Sequence, residues 1–241
     1  MVFLFVWCAV GTAIMSIFLS PILQRGPDNM KLIRKFVRPL KHLYGVKIAV
    51  EGSENLNMTG PYVIVCNHQT YLDLFGMMEI LPDRCVPVAK KELRQMGPVG
   101  YACWLSGMIF IDRRKKEEAR ETLRQAAQTM LQENMRIWVY PEGTRNKGKT
   151  LLPFKRGAFH VAVQAQVPII PVVISSYQDF YSSKKKMFTA GKLKIRILPK
   201  VETEDLGPED IPALIDNIRE RMQETYNEIC EEMRGGKEAG K

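Results

Sequence analysis

Residues 61–81 read PYVIVCNHQTYLDLFGMMEIL. The first part, 61–66, is a short apolar run with β-branched residues, the mark of a buried strand. The last part, 70–81, has the spacing of a helix. Between them stand Asn67, His68 and Gln69, polar residues on the turn from strand to helix. Outward from this stretch the alternation recurs. Further strands are expected at 46–51, 85–89, 107–111, 136–140, 167–174 and 192–198, and helices at 116–133 and 209–233. In the first helix Ala119, Leu123, Ala126, Ala127, Met130 and Leu131 share one side. In the second, Ile211, Leu214, Ile215, Ile218, Met222, Tyr226, Ile229 and Met233 recur at helical spacing, and Gly235-Gly236 are expected to stop it. Strands alternating with helices imply βαβ units, so the expected fold is an α/β domain with a mainly parallel twisted sheet flanked by helices.

The ends differ from this domain. Residues 1–23 are almost wholly apolar, and roughly 20 such residues cross a bilayer. Residues 1–24 are therefore expected to form a membrane-anchoring hydrophobic helix. A cleaved signal peptide wants a basic start and a small-residue cleavage site, and neither is clear. Residues 25–45 carry Arg25, Lys31, Arg34, Lys35, Arg38 and Lys41, with Leu32, Ile33, Phe36, Val37, Leu40 and Leu43 at helical spacing. This reads as a basic amphipathic interfacial helix, packing on the domain being the alternative. The domain proper spans 46–234, and 235–241 is expected to be a disordered tail.

The chain has 35 Lys and Arg against 26 Asp and Glu, a net charge of +9. That excess suits nucleic acid, phosphorylated metabolites or anionic lipid. No nucleic-acid-binding motif is present, so no such partner is expected. The five cysteines form no C-x-x-C pair, which argues against a zinc site and a disulfide framework and fits a reducing compartment. The three histidines are few enough to weigh singly. His42 lies on the basic helix. His160, inside GAFHVAVQA, is expected to be packed and hydrogen-bonded. His68 opens the helix of the first stretch, five residues before Asp73.

On one continuous helix that spacing separates two residues by about 140°. They meet only if His68 sits on the preceding turn and Asp73 in the first helical turn. Thr70 as N-cap with Asp73 three residues on supports this layout, as in a capping box; capping alone is also the plain alternative for Asp73. Three other polar clusters follow strands: Lys90-Lys91 after CVPVA, Asp112-Arg113 after the strand ending at Ile111, and Glu142-Gly143-Thr144-Arg145 after RIWVY. In an open parallel sheet the strands' C-terminal ends form one rim where ligands bind. An imidazole for proton transfer beside cations for phosphate makes a coherent active site there.

N-H-x4-D at 67–73, F-I-D-R at 110–113, P-E-G-T-R at 141–145 and V-P-I-I-P at 167–171 resemble, in order, the four motifs of the glycerolipid acyltransferase family. The surrounding text, such as MMEILPDRCVPVAKKEL at 77–93, looks closest to its animal 1-acylglycerol-3-phosphate acyltransferases. The resemblance runs from about residue 30 to 215. Animal members generally carry more hydrophobic sequence upstream, so a short form or a fragment is expected. The resemblance implies transfer of an acyl group from acyl-CoA to the 2-hydroxyl of lysophosphatidic acid, giving phosphatidic acid. The alternatives are an acyltransferase for glycerol-3-phosphate or another lysophospholipid, and a non-catalytic lipid-binding protein on the same fold. His68 is then the general base and Asp73 its orienter. Lys90, Arg113 and Arg145 match the phosphate-gripping positions, with Glu142, Gly143 and Thr144 in the substrate site and Glu142 orienting Arg145 or a glycerol hydroxyl. V-P-I-I-P is associated with the substrate site in the family, but core packing is the preferred reading here. Cys66 is expected to be buried and inert. No metal or bound cofactor is implied beyond acyl-CoA as co-substrate. The expected partners are acyl-CoA, lysophosphatidic acid and membrane lipids. The expected location is a membrane, that of the endoplasmic reticulum, with the catalytic domain facing the cytosol.

Asn57-Met58-Thr59 is a glycosylation sequon. The cations between Arg25 and Lys41 should hold this side of the membrane in the cytosol, so the sequon is expected to stay unmodified. A deglycosidase-sensitive mobility shift in cells, abolished by Asn57→Gln, would place the domain in the lumen. Protease should digest a C-terminal tag in sealed microsomes.

Overall fold

Strands β1 (Val46–Glu51), β2 (Val63–Cys66), β3 (Cys85–Lys90), β4 (Ile109–Ile111), β5 (Arg136–Val139), β6 (Ile169–Ile174) and β9 (Gly191–Ile197) form one seven-stranded sheet in the order β1-β9-β6-β2-β5-β3-β4. From β4 to β6 every pairing is parallel. β9 runs antiparallel to β6, and β1 lies parallel to β9 at the edge. The mainly parallel sheet expected from the sequence is therefore present. A small hairpin, β7 (Tyr181–Ser182) with β8 (Met187–Phe188), stands apart from it. In the computed structural model the described residues are 24–112, 114–182 and 184–238, with Gly11. The proposed membrane helix at 1–24 thus lies outside them except for Gly11 and Gln24, and so does Arg113. Among the described residues no helix is long and apolar enough to cross a membrane.

The helices are α1 (Met30–Val37), α2 (Leu40–Leu43), α3 (Asp73–Ile80), α4 (Gly97–Leu105), α5 (Lys116–Gln132), α6 (Gly157–Ala165) and α7 (Ile211–Glu238). β2 and β6, at the sheet centre, are buried along their whole length. They read as continuous apolar runs because helices cover both faces of a parallel sheet. α3 lies close on this centre. A Cβ at Gly76 would come within 3.0 Å of the Ile174 side chain and 3.3 Å of that of Ile195, so a larger residue would press on both side-chain ends. From α7, Ile211, Leu214, Ile215, Ile218, Met222, Tyr226 and Ile229 are buried, as their spacing predicts. Each such apolar side chain contributes about 1.5–3 kcal/mol.

Several expectations are corrected. α7 does not stop at Gly235-Gly236 but runs to Glu238, so residues 235–238 of the expected tail are helical. Glycine in a helix costs only about 1 kcal/mol, which a helix anchored along its length absorbs. For residues 30–43, where two readings stood open, the apolar face packs on the domain: Val37 and Leu40 are buried in the core, and Ile33 and Phe36 pack against it. Of that face, Leu43 stays open, 63% exposed. Leu131 is exposed, because α5 packs through Ala126, Ala127 and Met130. His160 is exposed too, since Phe159, Val161 and Ala162 supply the packed face of α6. α4 was not anticipated; its apolar run GPVGYACWL has no helical period to see.

Asn67 extends the β2–β6 ladder with its side chain. Its Oδ1 accepts from Ile174 N (2.8 Å) and its Nδ2 donates to Ile174 O (2.9 Å), fully buried. Asn67→Ala leaves the Ile174 amide unpaired, so it should cost about 1–3 kcal/mol. Urea unfolding of the variant should show this as a lowered midpoint; an unchanged midpoint would mean the rung is dispensable.

Candidate active site

The turn from β2 to α3 places His68 at the parallel strands' C-terminal rim. His68 Nδ1 lies 2.6 Å from Asp73 Oδ2. The same oxygen accepts the backbone amides of Gln69 (2.7 Å) and Thr70 (3.0 Å), and Thr70 Oγ1 accepts Leu72 N (3.0 Å). The helix proper begins at Asp73, with Leu72 at the N-cap and no side-chain cap bond, so the expected N-cap at Thr70 is corrected. The Asp73 carboxylate ties the turn ahead of the helix and meets the imidazole, as the orienting reading requires. The Asp73 side chain is 2% exposed and that of His68 25% exposed. The bond fixes the Nδ1–H tautomer and leaves Nε2 to accept a proton. The Tyr140 ring stacks on the imidazole with centroids 4.2 Å apart.

Glu142 is buried, and its carboxylate binds the chain itself. Oε1 accepts His68 N (2.9 Å); Oε2 accepts Leu152 N (2.9 Å) and Asn146 Nδ2 (3.1 Å). Asn146 N returns a bond to His68 O (2.7 Å). The loop after β5 is thus tied on both sides to the His68 backbone. Gly143 makes that turn with φ +70°, where a side chain would be strained and would press on Lys155. Thr144 and Arg145 are exposed, and the Arg145 guanidinium lies 3.8 Å from the Tyr71 ring centroid. Lys90 ends β3, exposed on the same rim. Arg113 lies outside the described residues; its neighbour Asp112 pairs with Lys91 at 3.8 Å.

Sequence reasoning did not find Tyr177. It is buried, and neither its hydroxyl nor Asp73 Oδ1 finds a hydrogen-bond partner among the described residues. Burial, then the Asp73 charge, push the phenol well above its ordinary pKa, so it remains a donor. Gln69 likewise carried no role in the sequence. In the structure its Nε2 donates to the Ile174 and Ser175 carbonyls, both at 2.9 Å, and fixes the turn to the end of β6. Cys66 is fully buried, and burial pushes its thiol well up, which disqualifies it as a nucleophile. V-P-I-I-P is core: Val167, Ile169 and Ile170 are buried. Among the described residues no group of three or more His, Cys, Asp or Glu side chains is placed to hold a metal.

Residues 47–175 match the acyltransferase family. The chain is 50% identical over 224 residues to human 1-acyl-sn-glycerol-3-phosphate acyltransferase alpha, covering 93% of this chain and 79% of that one. Identity to the mouse protein of the same name is 52%, over 93% and 79%. Yeast 1-acyl-sn-glycerol-3-phosphate acyltransferase (Saccharomyces cerevisiae) is 38% identical over 81% and 65%. In fold the chain is similar to the crystal structure of the 1-acyl-sn-glycerophosphate acyltransferase PlsC from Thermotoga maritima, with TM-score 0.67, 24% identity and 95% of each chain covered. With its histidine–aspartate pair on that rim, the chain belongs to the acyltransferase family, among the 1-acyl-sn-glycerol-3-phosphate acyltransferases.

Proposed function

We propose that the protein transfers a fatty acyl group from acyl-CoA to the 2-hydroxyl of 1-acylglycerol-3-phosphate, yielding phosphatidic acid and free CoA. The observation that carries this is the 2.6 Å contact between His68 Nδ1 and the buried Asp73 carboxylate. His68 Nε2 takes the proton of the 2-hydroxyl as its oxygen attacks the thioester carbonyl carbon. Asp73 stabilises the imidazolium so formed. The tetrahedral adduct collapses, the C–S bond breaks, and the imidazolium returns its proton to the leaving thiolate. No enzyme nucleophile is needed, because the acceptor hydroxyl itself attacks. A binding protein would not need a base held in one tautomer, which disfavours the lipid-binding alternative.

Arg145, Lys90 and Arg113 grip the acceptor phosphate. The stack on Tyr71 holds the Arg145 plane, and a planar fork suits phosphate oxygens. Glu142 acts through the backbone by fixing the distance between this loop and His68. The site calls for no metal or prosthetic group, acyl-CoA being a co-substrate. The enzyme works at a membrane surface, that of the endoplasmic reticulum, anchored by residues 1–24. Lys31, Arg34, Lys35, Arg38 and Lys41 surround one surface depression, a basic face that suits anionic headgroups.

His68→Ala should lose activity by orders of magnitude while the protein stays folded, since such catalysis contributes roughly 10²–10⁴-fold. A residual rate above about a tenth of wild type would remove His68 from the base role. Asp73→Asn should lose most activity as well.

Arg145→Ala should raise KM for the lyso-acceptor about tenfold or more, the scale of a charge-assisted hydrogen bond, with a smaller effect on the donor. Steady-state kinetics with both substrates varied separate the two, and equal damage to both would make Arg145 structural.

A further inference from the structure

His68 divides the rim. On one side, beyond β5, lie β3 and β4 with Lys90 and the F-I-D-R turn; on the other lies β6. On the β6 side the strand's outgoing loop and the β7–β8 hairpin bound a cavity of about 230 Å³. Gln69, Tyr177, Gln178, Lys147, Lys184 and Lys185 belong to its wall, which therefore begins one residue from His68. Among the described residues no Asp or Glu lines it. Its loops are fixed to one another, Gln178 Nε2 donating to Lys147 O (2.6 Å) and Gln69 Nε2 to Ser175 O (2.9 Å), and within the hairpin Lys185 N donates to Ser182 Oγ (3.3 Å). Three cations thus reach one concavity from two separate loops. Of the run Lys184-Lys185-Lys186, the first two line this cavity, and they have no part in the proposed acceptor site.

Acyl transfer as proposed brings two anionic substrates to one base. The acceptor hydroxyl must lie at His68 Nε2 with the thioester carbon against it, while the phosphates of the two molecules repel. Seating them on opposite sides of His68 relieves that conflict. With Lys90 on the β3–β4 side given to the acceptor, the β6 side is left for the donor. A cavity of about 230 Å³ is below the roughly 300–1,000 Å³ of a site that encloses a drug-sized ligand. It suits a phosphate-bearing fragment, with nucleotide and acyl chain outside. Lysine ammoniums on flexible stems act as point charges that adapt to a diphosphate.

We infer that the cavity lined by Gln69, Gln178, Lys147, Lys184 and Lys185 is a second phosphate subsite, and that it takes the phosphates of the nucleotide-bearing thioester donor. The inference rests on the acyl-transfer reading. It is tested with Lys184→Ala/Lys185→Ala in the full chain, in uncharged detergent micelles. KM for palmitoyl-CoA should rise about fivefold, the scale of two exposed charge contacts, while KM for lysophosphatidic acid moves less than about twofold. CoA itself, titrated calorimetrically, should bind correspondingly weaker. With an acyl-pantetheine thioester, which lacks the nucleotide phosphates, the deficit of the variant should disappear. A rise in acceptor KM equal to or greater than that of the donor overturns the proposal, as does unchanged CoA affinity. Lost binding to phosphatidylserine vesicles with CoA affinity intact would also overturn it and assign the lysines to a lipid surface. If the wild type turns over no acyl-CoA, the acyl-transfer reading fails by itself, and the CoA titration still decides for or against the cavity.

Discussion

Asp73 Oδ2 accepts three hydrogen bonds, from His68 Nδ1, Gln69 N and Thr70 N. The rest of the site depends on this atom. The two amide bonds pair donors of the turn that precedes α3, and they fold that turn so that the imidazole meets the carboxylate. The third bond sets the ring's tautomer. Folding and catalysis thus draw on one oxygen, shielded from water, where a hydrogen bond is electrostatically stronger than in solvent. A substitution at Asp73 therefore disturbs the turn and the base together.

A second carboxylate extends the framework sideways. Glu142 joins the loop after β5 to the His68 amide, and Asn146 N closes the link through the His68 carbonyl. Asn67 and Gln69 do the same toward β6. The base is consequently held from both neighbouring strands by bonds to its own backbone and to the residues beside it. Such bracing is what positioning demands, because a small misplacement of reacting groups is costly. Arg145 inherits its place from this bracing, three residues beyond Glu142 and with its guanidinium over the Tyr71 ring.

The alternation of apolar runs and helical periods suffices to read the sheet, its mainly parallel sense and the rim that gathers His68, Lys90 and the loop from Glu142 to Arg145. Periodicity reads burial from polarity, and it fails where the exposed side is apolar too. α4 is apolar nearly throughout and shows no face, although Tyr101 stands exposed and only Gly100, Ala102 and Leu105 are buried. His160 reads as packed because its neighbours are apolar, yet a nine-residue helix has an outer side. The end of α7 escapes a local reading, because the glycine cost is outweighed by a long core contact that the last residues do not reveal. Tyr177 is invisible for another reason. It feels the Asp73 charge only because β6 and β2 are neighbours across more than a hundred residues of chain, and no local pattern encodes that. Glu142 reads in sequence as facing substrate or Arg145. A carboxylate beside a phosphate grip would repel the ligand, and the fold resolves this by burying the charge among backbone donors.

The geometry around His68 also limits how substrates arrive. One ring face is covered by Tyr140, and the Nδ1 edge by Asp73. What remains is the exposed part of the ring at the rim, so hydroxyl and thioester must both come from beyond the strands' C-terminal ends. Two long anionic lipids cannot share one approach without their headgroups meeting. A parallel sheet offers a way out, since successive strand ends lie about 4.8 Å apart and distribute cations along a line. With the base on β2, near the middle of that line, the β5–β3–β4 side and the β6 side supply separate positive regions. On the proposed mechanism, it is the order of the strands, more than any single cation, that would let one imidazole serve two phosphorylated substrates.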